Sequence, residues 1–364
     1  MRSVGVEEEL LLVDPGTGNP RAVAGTVLAR AEAADDGGAG LGLEKELQRE
    51  QLEIATRPTT AMTDLAAEVR ERRAMAAEQA RSAGAEVAAL ATSPLPVDPF
   101  LSDGRRYRKV AAEFGLTAQE QLTCGCHVHV GVASDEEGVA VLDRIRPWLA
   151  TLLALSANSP FWQGQDSGYN SYRSLVWGRW PSAGAVEVFG SAKEYHAQVQ
   201  AMLETDTLLD TGMIYFDARL SRNYPTVEIR VADVCLEAGD TVLIAALARG
   251  LVETAARAWR AGEPPAPATV GMLRLAAWRA AKSGVSDRLV HPLRWKPAPA
   301  PVVVGALVAH VHDALSDAGD LALVRASLDR LLSRGGGAGR QRETLARGGG
   351  LRAVVADAVE RTVS

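Results

Sequence analysis

Only three cysteines occur in the 364 residues, at positions 124, 126 and 235. So few, scattered thiols give no disulfide framework. Aromatic residues make up 5% of the chain, and the 39 Lys and Arg are outnumbered by 45 Asp and Glu, a net charge of −6. That balance lacks the electropositive footprint of a nucleic-acid binder. No apolar run reaches the roughly 20 residues that cross a bilayer, and the chain opens directly into a strand-like segment with no leader pattern. The reading is therefore a cytoplasmic protein with neither membrane nor nucleic acid as partner. Also missing are a G-x-x-x-x-G-K-[ST] phosphate loop and any Ser or Cys paired with a His as a nucleophile would be. What remains is ordinary globular material, 47% hydrophobic and ample for a core.

Turn and breaker residues divide the chain. "VGVEEELLLV" (4–13) reads as a strand, "DPGTGNP" as a turn, 31–43 as a loose loop and "LEIAT" as a second strand closed by Pro58. Helical spacing predicts helices over 62–84, 107–119, 136–155 and 192–209. "AEVAALATSPLP" is extended, and "LTCGCHVHVGV", "MIYFDARL" and "TVEIRVADV" read as strands. From 239 onward the pattern is helical, with the Gly-rich stretch 333–350 expected to be flexible. Strands gathered early and helices late predict an α+β fold on an antiparallel sheet. One domain is expected over 1–364, with a sheet-rich catalytic part over 1–238 and a helical part over 239–364.

The first strand poses a chemical problem: three consecutive carboxylates inside a run of Val and Leu, where an unpaired charge is costly. Residues of equal parity share a strand face, so Glu7 and Glu9 project together, Cα atoms about 6.5–7 Å apart, and Glu8 projects oppositely. The same alternation puts His127 and His129 on one face, with Cys124, Cys126 and Val128 on the other, and sets Glu228 and Arg230 against Val227, Ile229 and Val231. Glu53 is another carboxylate within an apolar strand. Any one of these could be the solvated face of an amphipathic strand. Four of them, carrying Glu and His rather than Thr, Lys and Ser, point to a shared site. Carboxylates with imidazoles suit a hard divalent cation, Mg²⁺ or Mn²⁺, and Arg230 beside Glu228 would neutralise charge on a transferring phosphoryl group. The C-x-C-H-x-H spelling suggests zinc, but thiols and imidazoles would leave opposite faces of the strand, so Cys124 and Cys126 are read as core packing.

"GVEEELLLVDP", "LEIATRP", "LTCGCHVHVGV", "NSPFWQGQDSGYNSYRSLVWGRWP" and "TVEIRVADV" resemble, in this order, the glutamate–cysteine ligase type 2 family of bacterial carboxylate–amine ligases. The resemblance implies a glutamine synthetase-like catalytic domain: a curved antiparallel sheet with helices packed on one face, its concave side holding metals, ATP and an amino acid. It implies Glu7, Glu9, Glu53, His127 and Glu228 as metal ligands, Arg230 as a catalytic and ATP-binding group, and His129 beside the cofactor. Glu46 fits a further acidic ligand, but its odd spacing from Glu53 requires a bulge or loop. The 158–181 block is either a structured surface loop or a substrate loop. In the second case Arg173 would fork a substrate carboxylate and act in catalysis, Tyr172 and Asn158 would add hydrogen bonds, and Trp162, Trp177 and Trp180 would pack. The implied reaction joins L-glutamate to L-cysteine, or to another amine, through an acyl phosphate formed from ATP, in a homo-oligomer. Phosphoryl transfer to a guanidinium acceptor, or a hydrolase using the same Glu/His cluster, are the alternatives. Release of ADP that requires both acid and amine separates them.

Overall fold

The computed structural model describes residues 1–34 and 42–364. Nine strands matter for the site: β1 (Val4–Val13), β2 (Leu43–Lys45), β3 (Gln51–Ala55), β4 (Glu86–Ala88), β5 (Gly125–Gly131), the two-residue pair β6 (Phe161–Trp162) and β7 (Gln165–Asp166), β8 (Ala218–Leu220) and β9 (Thr226–Asp233). Seven form one sheet in the order β2-β3-β1-β5-β9-β8, with β4 pairing beside β1. All its pairings are antiparallel. The expected α+β architecture on an antiparallel sheet is therefore what the chain adopts.

The registers align the acidic strand with its neighbours. Glu9 lies opposite Glu53, Glu7 opposite His127, His129 opposite Glu228, and Glu228 opposite Arg219. One irregularity, between Cys126 and Val128, falls at His127. The convex face is apolar: Val4, Val6, Cys126, Val128, Val130, Val227 and Ile229 join one buried cluster with residues of the helices Met62–Ser82 and Ala238–Arg260. Burying this face drives the sheet onto its helices, and the alternation then leaves the polar residues on the concave side.

Several expected elements differ. The loop expected over 31–43 is the end of a helix, Ala24–Ala34, and the start of β2, while 35–41 lie outside the described residues. The helix expected over 136–155 is two, Asp135–Ile145 and Leu149–Ser156, joined by a 3₁₀ turn holding Pro147, which has no N–H to donate. "MIYFDARL" is strand only at Ala218–Leu220. The Gly-rich stretch expected to be flexible instead forms the end of one helix and another helix, Gly336–Ala346. There glycine serves close approach: a Cβ at Gly337 would collide with Asn158 Oδ1. Gln341 Nε2 also donates to Asn158 Oδ1 at 2.7 Å and to its carbonyl at 2.8 Å.

Candidate active site

The concave face opens into a cavity of about 770 Å³ whose walls include Glu7, Glu9, Glu46, Glu53, His127, His129, Glu228 and Arg230. The sheet supplies all of these but Glu46, which follows β2 in the turn leading to β3, so the odd spacing to Glu53 is absorbed by a loop. Three groups of ligand atoms lie within 4.8 Å of one another: Glu7, His129 and Glu228; Glu7, Glu53 and His127; and Glu9, Glu46 and Glu53. Glu7 and Glu53 each belong to two groups, so the three are contiguous.

The electrostatics are those of a cluster awaiting positive charge. Burial raises Glu9 to about 7, reinforced by Glu46 and opposed by Arg173, the Gly125 N–H and Arg230. Burial, then Glu46 and Glu7, push Glu53 well above the usual carboxylate range. Burial and the Arg230 charge hold His127 down at about 4, leaving a neutral imidazole able to ligate. Glu7 goes the other way, because hydrogen bonds with His127 and His129 outweigh its burial. Glu228 is likewise held low despite burial, by Arg230 and Arg219. The Nε2 atoms of both histidines are buried without an aligned hydrogen-bond partner, although Glu7 Oε1 lies 3.2 Å from that of His129. Orphaned imidazole nitrogens beside the readily ionised Glu7 and Glu228, with Glu9 and Glu53 resisting ionisation for want of positive charge, fit hard divalent cations in their donor chemistry.

Arg230 is paired with Glu228, which also accepts from Arg219 Nε at 2.7 Å. One Glu228 carboxylate thus fixes two guanidinium groups on the cavity wall. Arg219 went unmarked in the sequence. Its signal was present, since Tyr215, Asp217 and Arg219 alternate, but the strand is short. Arg106, Tyr107, Arg222 and Tyr224 also line the cavity from outside the sheet. Nothing in their local pattern marks them.

Glu8 faces the helices, where Arg73 meets it with Nε to Oε2 at 2.8 Å and Nη2 to Oε1 at 2.7 Å. The consecutive carboxylates are therefore divided, two into the cavity and one into a buried ion pair. Cys124 and Cys126 are buried free thiols outside every metal-competent group among the described residues.

The 158–181 block divides differently from expectation. Asn158 is buried and committed to structure, its Nδ2 donating to the carbonyls of Ala89 at 2.9 Å and Val234 at 2.8 Å. Tyr172 packs against Trp162 and Tyr169. Neither lines the acidic cavity: Asn158 is held in hydrogen bonds and Tyr172 sits in an aromatic cluster. Asp233, unmarked in the sequence, organises the block by accepting from Asn158 N, Ser159 Oγ and Ser171 Oγ at 2.8–2.9 Å. Arg173 is 2% exposed and makes no side-chain hydrogen bond among the described residues; its nearest carboxylate is Asp233 at 3.9 Å. It lies over Gly125, where a Cβ would collide with the guanidinium. Arg173 does not reach the acidic cavity but lines a neighbouring one.

Solved structures share this antiparallel-sheet fold. The solved glutamate–cysteine ligase of Francisella tularensis in complex with AMP superposes with a TM-score of 0.72 at 14% identity, covering 100% of this chain and 89% of that one. A bifunctional glutathione synthetase from Pasteurella multocida gives 0.67 at 17% identity, covering 99% of this chain and 52% of that one. The model of glutamate-cysteine ligase family 2 (GCS2) matches residues 3–361. A Streptomyces avermitilis protein named "Putative glutamate--cysteine ligase 2-1" is 60% identical over 362 residues, covering 100% of this chain and 99% of that protein. A Streptomyces coelicolor relative is 59% identical over the same length with the same coverage. The chain belongs to glutamate-cysteine ligase family 2. It is an ATP-dependent ligase that forms a carbon–nitrogen bond between small molecules. No described helix is long and apolar enough to cross a membrane.

Proposed function

We propose that this ligase joins the γ-carboxylate of L-glutamate to the amine of L-cysteine or of another amino acid, by way of an acyl phosphate. The convergence of three metal-competent Glu/His groups and Arg230 in one 770 Å³ cavity carries this reading. The γ-carboxylate attacks the γ-phosphorus of ATP and ADP leaves. The amine then bonds to the acyl carbon as the carbon–oxygen bond to phosphate breaks, giving amide and inorganic phosphate. Mg²⁺ or Mn²⁺, held by Glu7, Glu9, Glu46, Glu53, His127, His129 and Glu228, would neutralise the phosphate oxygens. Arg230, fixed by Glu228, stabilises charge on the transferring phosphoryl group, and Arg219 extends the same positive wall. Glu9 holds the strand geometry by accepting from Gly125 N at 2.6 Å.

The test is ADP release with L-glutamate against a panel of amines, with each substrate omitted in turn. Release requiring acid, amine and divalent cation together is expected. Full release without any acid would instead favour transfer to a guanidinium, and hydrolysis without ATP would favour a hydrolase.

A further inference from the structure

Trp177, Trp180 and Arg230 face two cavities. Beyond them, away from the acidic cluster, lies a second cavity of about 430 Å³, bordered by Arg173, Asp217, Arg274 and Trp278. Its walls include none of the metal-competent residues. They do include guanidinium groups whose bonding capacity is only partly used, Arg230 being paired with Glu228 and Arg173 having Asp233 at 3.9 Å. Arg173 and Arg230 both have a buried Nε without a partner. The Arg173 guanidinium lies 5.6 Å from the Trp177 ring centroid and 3.9 Å from the Asp233 carboxylate, to which it makes no hydrogen bond.

The one carboxylate among the described residues of the cavity wall is Asp217. The Asp217 side chain has no hydrogen bond or ion pair to another described residue, though it lies within Coulombic range of Arg173. Its position is fixed from the backbone, because Arg230 N donates to Asp217 O at 2.9 Å. Continuing the β8–β9 register places Asp217 opposite Arg230, Cβ atoms about 5 Å apart on one face. A carboxylate without a hydrogen-bond partner, near a buried guanidinium whose Nε is also unbonded, is too costly to be retained as packing alone. A cation and an anion across a small cavity with an aromatic wall complement a zwitterion.

We propose that this second cavity binds the acceptor, an α-amino acid, its carboxylate on Arg173 and its ammonium on Asp217. The inference rests on the ligase reading given above and names the acceptor's place and class. Nucleotide, cations and the acid occupy the larger cavity, and the acceptor approaches the acyl group past Arg230, which borders both. Sequence reasoning expected Arg173 to fork a substrate carboxylate; the cavity it lines assigns that carboxylate to the acceptor.

The experiment uses the full chain with ATP, Mg²⁺ and L-glutamate. Acceptors are the twenty amino acids, their decarboxylated amines, and hydroxylamine, which traps acyl phosphates without needing a carboxylate. Losing one charge-assisted contact corresponds to a factor of about 10–100. An accepted amino acid is therefore expected to exceed its decarboxylated amine at least about tenfold in kcat/KM. Asp217→Asn and Arg173→Lys are expected to raise KM for the amino acid at least about tenfold more than KM for ATP or glutamate, and to shift product from amide toward hydroxamate. Ala277→Leu, which narrows the cavity without touching a charge, is expected to raise acceptor KM in the same way while melting normally. Decarboxylated amines used as well as amino acids would overturn the proposal. So would Asp217→Asn and Ala277→Leu leaving the acceptor KM unchanged, or Asp217→Asn depressing amide and hydroxamate equally in folded protein. If the unaltered chain makes neither product in a glutamate-dependent way, the ligase reading with glutamate fails, and this inference falls with it.

Discussion

Glu8→Gln separates the two roles of the opening strand. Glu8 and Arg73 are both almost fully buried. Arg73 makes two bonds to the Glu8 carboxylate and one to Cys235 O at 2.7 Å, and the Thr241 hydroxyl donates to Glu8 Oε1 at 2.6 Å. Gln preserves shape and one acceptor oxygen, but it turns an amide NH₂ toward the guanidinium and leaves Arg73 with no counter-charge. Breaking one side of a buried pair costs about 3–5 kcal/mol. A domain has about 5–15 kcal/mol in total, so the variant should fold but denature at clearly lower guanidinium concentration. Glu8→Leu with Arg73→Met removes both charges and should cost less than the two single changes summed, a coupling of at least about 2 kcal/mol in a double-mutant cycle. The Mg²⁺ concentration for half-maximal ADP release should not move, because Glu8 faces the helices. An unchanged denaturation midpoint, or an Mg²⁺ dependence lost as in Glu7→Gln, would refute the division of the three carboxylates between two faces.

Glu7→Gln and Glu9→Gln each remove ligand charge inside the cluster, so turnover should fall by orders of magnitude with little loss of stability, and EDTA should abolish ADP release by the unaltered protein; activity in metal-free buffer contradicts this. In metal-free protein Glu9 is raised from 4.5 to about 7. A raised carboxyl stabilises fully below the unfolded value, and that contribution is lost as pH climbs through the folded one. The Glu9 contribution to metal-free stability should therefore decline between about pH 4.5 and 7, by at most ~3 kcal/mol. His127, lowered from 6.5 to about 4, works in the opposite direction, so the decline is read as the difference between the unaltered protein and Glu9→Gln. Mg²⁺ should restore the lost contribution, which denaturation at several pH values with and without the ion would check. Cys124→Ser and Cys126→Ala should leave metal content unchanged and lower stability modestly. Stoichiometric zinc lost in either variant would contradict the packing role.

The cluster was legible because a strand's period of two is rigid: once "VGVEEELLLV", "CGCHVHVG" and "TVEIRV" are read as strands, parity alone assigns Glu7, Glu9, His127, His129, Glu228 and Arg230 to one side. The same rule separates Cys126 from the imidazoles and Glu8 from its neighbours. Parity does not say which strands pair, or in which register. Only the fold could show that Glu53 faces Glu9, that Glu46 returns through a loop, and that Arg73, 65 residues away, balances Glu8. The 158–181 block exposes the limit most clearly. It has no period, so its composition could not distinguish Arg173, beside a cavity, from Asn158, consumed by the carbonyls of Ala89 and Val234 and by Gln341. The glycines after 333 suggested freedom, yet Gly337 is there because Asn158 leaves no room for a Cβ. The sequence by itself determined the strand faces and hence the chemistry of the acidic site, because alternation is a local property of the backbone. The partners of each charge and the second cavity were decided by the tertiary structure, because they depend on contacts between segments far apart in the chain.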